Sequence, residues 1–145
     1  MRMSLPLVAA VGFLGLAGTA AAADRPYTEG PVSVVTSIRT ESGMWDEYLS
    51  FIATSWKQEM EAAKKAGLIV DYTVYSTVPR NPSEPDLYLL VTYKNFAAFD
   101  GLAAKMDAIT EKMAGSMQKA NAETAARGKM RKILGDEIIQ QLILK

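Results

Sequence analysis

Val32, Val34, Thr36 and Ile38 alternate with Ser33, Val35, Ser37 and Arg39, and a period of two in a stretch rich in β-branched residues predicts a strand. After a turn at Thr40 to Gly43 the period changes. Trp45, Tyr48, Leu49, Ile52, Trp56, Met60 and Ala63 recur at three- and four-residue spacing, which puts them on one face of a helix. Ser42 stands where it can cap that helix, Asp46 and Glu47 suit its first turn, Lys64 and Lys65 suit its last, and Gly67 stops it. Alternation resumes from Leu68 to Thr77, with Val70, Tyr72 and Val74 on one side and Asp71, Thr73 and Tyr75 on the other. Pro79, Pro82 and Pro85 then require a loop, and a third strand follows from Asp86 to Lys94. Phe99, Leu102, Met106, Ile109, Met113 and Met117 form a second helical stripe, with Asn95 placed to cap it. A helix running on to Arg127 would be unusually long, so a break is expected near Gly115 or between Asn121 and Gly128. Glu137 to Leu144 reads as the last strand.

The order strand, helix, strand, strand, helix, strand predicts an α+β fold of ferredoxin-like βαββαβ type, a four-stranded antiparallel sheet with its helices on one face. Helices on one side leave the other side open. Yet the third strand carries Leu87, Leu89, Val91 and Tyr93 on one side and Tyr88, Leu90 and Thr92 on the other, and the last strand carries Ile139 and Ile143 opposite Leu142 and Leu144. A sheet with one wet face alternates more cleanly than this. The simplest cover for the second face is the same face of another copy, because two-fold homodimers are the commonest symmetric assemblies. A monomer with an exposed apolar patch is the competing reading.

The first 23 residues follow a different pattern. Arg2 is followed by an apolar run from Leu5 to Ala22, with Ala21 and Ala23 just before the charged Asp24. A basic start, an apolar stretch and small residues at a cleavage point make a secretory signal peptide over residues 1–23. Export to the periplasm, or secretion, of a chain beginning at Asp24 is the expectation. The same run is long enough to anchor the chain in a membrane if it is retained. Residues 24–31 hold Pro26, Gly30 and Pro31 without periodicity and read as a flexible leader, with the domain over residues 32–145.

Composition narrows the chemistry. The chain has no Cys and no His, so disulfides, thiolate or imidazole metal sites and conventional nucleophile-base pairs are out of reach. Without the signal, 15 basic residues stand against 16 acidic ones, a balance that gives no electrostatic footprint for nucleic acid. Asp46 with Glu47 and Asp136 with Glu137 are sequence neighbours and do not face each other as paired catalytic carboxylates must. Met106, Met113 and Met117 are better read as core filling than as a copper site. Lys129, Arg131 and Lys132 read as a solvated connector.

The segment Leu89-Leu90-Val91-Thr92-Tyr93-Lys94-Asn95-Phe96-Ala97-Ala98-Phe99, together with Ser37 to Gly43, resembles the corresponding parts of the dimeric α/β-barrel superfamily, in its antibiotic-biosynthesis monooxygenase-like group. The resemblance implies a homodimer whose two sheets face each other and a small-molecule cavity between sheet and helices in each subunit. Carried onto this chain, the candidate ligand-binding residues are Thr36, Trp56, Tyr72 and Tyr93, with Val74, Val91, Met60, Met106 and Met113 around them. The same residues would equally fill an ordinary core. Haem-using relatives ligate iron through His, absent here, and haem-degrading ones carry Asn near the position of Thr36, so no haem and no other cofactor is expected. Two function classes follow from the resemblance. One is a module that binds a small apolar or aromatic ligand without catalysis. The other is a cofactor-independent monooxygenase or isomerase acting on an aromatic or quinone-like compound. Purely structural dimerisation, with a filled interior, is a third.

Overall fold

A computed structural model describes residues 24–145; the signal peptide expected over residues 1–23 lies outside them. Within the described residues the elements run β1 (Tyr27–Thr40), α1 (Trp45–Phe51), α2 (Lys57–Lys65), β2 (Asp71–Ser76), β3 (Leu87–Tyr93), α3 (Leu102–Ala114), α4 (Met117–Arg127) and β4 (Arg131–Leu144). The strands form one antiparallel sheet in the order β2-β3-β1-β4. This is the expected ferredoxin-like α+β fold.

Strand pairing fixes the two faces. Tyr72, Val91, Val34 and Ile138 stand side by side across the sheet, as do Val74, Leu89, Thr36 and Asp136. These rows face the helices. Ile38, Leu87 and Leu89 pack there against Tyr48 and Ile52, and a second cluster joins Met60, Ala63 and Ile69 to Tyr72, Val91 and Tyr93. The opposite face carries the rows Thr73, Leu90, Val35 and Glu137 and Tyr75, Tyr88, Ser37 and Gly135.

The helix expected from Trp45 to Gly67 is interrupted by a π-helical segment, Ile52–Trp56, between α1 and α2. Its cause is visible in the spacing. Tyr48, Ile52, Trp56 and Met60 are separated by three successive steps of four, which would drift round a regular α-helix by about 120°. The wider π turn absorbs the drift, so that Tyr48, Ile52 and Met60 are all buried under one face. Lys57 N–H donates to the Ile52 carbonyl, and Thr54 Oγ1 donates to the Ser50 carbonyl at 2.7 Å.

Several boundaries differ from those expected. Residues 24–31 are not a leader without structure, because β1 begins at Tyr27 and pairs Tyr27 with Leu144 and Thr28 with Ile143. Gly30 and Pro31 fall at an irregularity in that pairing, between Glu29 and Val32, where strands tolerate them. A Cβ at Gly30 would lie 3.0 Å from the Gln141 carbonyl oxygen. The last strand starts at Arg131, six residues ahead of Glu137, so Arg131 and Lys132 are paired with Thr40 and Arg39 and are not a connector. Asn95 makes no capping bond; it precedes a 3-10 turn, Phe96–Phe99, and Gly101 (φ 65°) opens α3. Ser42 likewise caps nothing, since Met44 holds the N-cap position of α1. The break expected near Gly115 is there, with φ 87°, and Ser116 Oγ accepts the Lys119 N–H to start α4.

The helix layer stops short of β4. Ile133, Ile138, Ile139, Leu142, Ile143 and Leu144 are 44 to 78 % exposed, and they lie on both faces of this edge strand.

Candidate functional site

Trp56, Tyr72 and Tyr93 are brought together, all three packing against the Met60, Ala63 and Ile69 cluster. Trp56 meets the Tyr72 ring edge-on, 5.4 Å between centroids, and Tyr93 tilts against Phe99 at 4.8 Å. The Tyr72 hydroxyl donates to the Glu61 carboxylate. That bond, helped by burial and by the charges of Glu61 and Asp71, pushes the Tyr72 pKa up to about 12. Burial raises that of Tyr93 as well. Trp56, Tyr72 and Tyr93 line none of three clefts that open elsewhere among the described residues.

Thr36 stands apart from them. It lies on the same face, toward β4, and its Oγ1 donates to Asp136 Oδ1 at 2.6 Å. With Val34 and the exposed Ile138 beside it, this part of the helix-facing surface is the one the helices leave bare.

A separate cleft of about 200 Å³ opens on the helix layer, between the α1–α2 arm and the α3–α4 hairpin. Phe51 and Ser55 enter it from around the π segment, Glu59 from α2, Thr110 from α3, and Glu123, Thr124 and Arg127 from α4. Thr110 Oγ1 donates to Glu59 Oε1 at 2.6 Å, tying the two arms together. The Arg127 guanidinium lies 4.6 Å over the Phe51 ring and donates to Thr124 Oγ1 at 2.7 Å. Burial, and the neighbouring charge of Arg131, lower the Arg127 pKa from its ordinary value. Arg131 stacks 5.6 Å over Tyr48 with its Nε buried and unpaired among the described residues.

These residues were not singled out from the sequence. Ser55 and Glu59, and Ala120, Thr124 and Arg127, repeat at helical spacing on faces that read as solvated. Only the docking of α4 against α1 turns those faces toward each other.

Among the described residues no group of His, Cys, Asp and Glu side chains could hold a metal ion, and no helix is long and apolar enough to cross a membrane. No family model matches the chain, and no curated protein is significantly similar to it. Two solved structures are similar. HapK from Hahella chejuensis aligns over 76% of this chain and 91% of its own, at 15% identity and a TM-score of 0.46. A dimeric ferredoxin-like protein from an uncultured marine organism aligns over 81% of this chain and 98% of its own, at 12% identity and a TM-score of 0.45.

Proposed function

We propose that the protein is exported to the periplasm or secreted after cleavage at Ala23, forms a homodimer through the outer faces of two sheets, and binds a small apolar or aromatic molecule without transforming it. The observation that carries this reading is β4, whose apolar side chains are exposed on both faces. A monomer leaving such an edge strand in water would invite uncontrolled association. Ile139 and Ile143, together with the outer rows containing Val35, Leu90, Tyr88 and Tyr75, suit the partner copy. Ile138, beside Val34 and Thr36 on the helix side, suits an apolar ligand, with the Thr36 to Asp136 hydrogen bond as a polar group at its margin.

Native mass spectrometry of the protein purified from the cell envelope tests both halves. The expected result is a dimer mass with a reproducible small adduct released on unfolding. Ile139→Glu should give monomer. Ile138→Glu should keep the dimer and remove the adduct. A wild-type monomer would overturn the assembly, and a dimer without any adduct would reduce the role to structural pairing.

A further inference from the structure

We propose that the cleft between the α1–α2 arm and the α3–α4 hairpin is a second binding site, for a small carboxylate carrying a hydrogen-bond donor at its other end, an amino acid or hydroxy acid of a few carbons. Every group in it comes from one chain, so the site stands whether or not the subunit dimerises.

Arg127 is the anchor. Its guanidinium lies over Phe51 and one N–H is spent on Thr124. Five N–H groups are present on a guanidinium, and a fixed planar fork matches a carboxylate with two parallel bonds. Among the described residues no carboxylate lies within ion-pair distance of Arg127, although Glu59 and Glu123 line the same cleft. Lys119 adds a second positive charge at the rim. On the α2 side, Glu59 has one carboxylate oxygen engaged by Thr110, which leaves acceptor capacity for a donor from a ligand. Arg127 and Lys119 outweigh Glu123 on the α4 arm, and this net positive side opposite Glu59 selects a molecule with an acid at one end and an amine or hydroxyl at the other.

Size suits the class. An apolar cavity of ~150 Å³ binds benzene, and a cleft of about 200 Å³ has room for a compound of a few carbons. The π segment contributes to its wall, and such interruptions recur at functional sites.

Amide NMR titration of the purified protein with γ-aminobutyrate, butyrate and butylamine tests the site. The expected result is a saturable shift of the Ser55, Thr110 and Arg127 amides with γ-aminobutyrate, weaker binding of butyrate, and none of butylamine. Arg127→Gln should weaken γ-aminobutyrate about tenfold or more, the scale of a lost charged hydrogen bond, and Arg127→Lys should recover part of the loss. Glu59→Gln should reduce γ-aminobutyrate to the level of butyrate and leave butyrate unchanged. Butylamine binding as well as γ-aminobutyrate, or Arg127→Gln binding like the wild type, would overturn the proposal. No saturable shift with any of the three would also overturn it and reduce Arg127 to a cap on the last turn of α4. If Arg127→Gln does not fold, the wild-type preference among the three probes decides the matter.

Discussion

Tyr72 keeps its proton because its hydroxyl already serves the Glu61 carboxylate, and ionising it would set two negative charges against each other. Its pKa therefore stands at about 12 against an ordinary 10.0. A group whose folded pKa is raised contributes stability below its unfolded pKa and loses it as pH rises through the folded one. The contribution of Tyr72 is thus present at neutral pH and disappears between about pH 10 and about pH 12. Phenolate absorbance should show Tyr72 titrating late alongside Tyr48 and Tyr93, which burial also raises, and Glu61→Gln should reduce the number of late-titrating tyrosines by one. If Glu61→Gln leaves that number unchanged, another group is responsible. Tyr48 acts differently, through bulk. It is 1% exposed at the centre of the first cluster, so Tyr48→Ala should cost about 3–5 kcal/mol, as truncating a large core aromatic does. Urea unfolding measures it. Both tyrosines were legible as helix- or strand-face positions, whereas the Glu61 bond was not, because it joins α2 to β2 across a turn that period alone does not place.

At the scale of elements, the π segment is the informative feature. It exists to keep a run of four-residue spacings on one face, so removing one residue from it, which shortens the step from Ile52 to Trp56 to three, should let a continuous α-helix hold Tyr48, Ile52, Trp56 and Met60 on that face. Deletion of Ala53 would then leave Met60 and Ala63 on the sheet. The expected loss is below the about 2–5 kcal/mol that truncating a single buried Met costs, again read by urea unfolding; a larger loss would mean that the π segment is held for more than the drift it absorbs. Helix and strand existence followed from period, and Gly115 ended α3 because its φ of 87° is a conformation that L side chains rarely adopt. The ends of β1 and β4 did not follow. Tyr27 to Pro31 and Arg131 to Gly135 lack alternation, and each is held in strand by its partners at opposite ends of the β1–β4 ladder, Tyr27 to Glu29 by Leu142 to Leu144 and Arg131 to Gly135 by Ser37 to Thr40.

For the whole molecule, the proposed dimer would cover an apolar edge strand bare on both faces and so make stability depend on association. Binding to the folded state alone raises apparent stability with concentration, so the melting temperature of the wild type should climb as the protein is concentrated, and that of Ile139→Glu should not. A concentration-independent wild-type melting point would point to a monomer. The proposed export makes its own prediction: the amino terminus of the protein isolated from the envelope should be Asp24, and a chain isolated there still carrying residues 1–23 would instead support anchoring. The sequence by itself determined the ferredoxin-like order of elements, the exclusion of His and Cys chemistry, and which residues share a side of each element, because these depend on local period and on residue type. Only the tertiary structure decided that Trp56, Tyr72 and Tyr93 are packed together while Thr36 stands with Asp136. It also decided that α4 folds back on α1 to place Arg127 across a cleft from Glu59. Those relations join residues far apart in the chain through the docking of whole elements, and no local period encodes how two helices lie against each other.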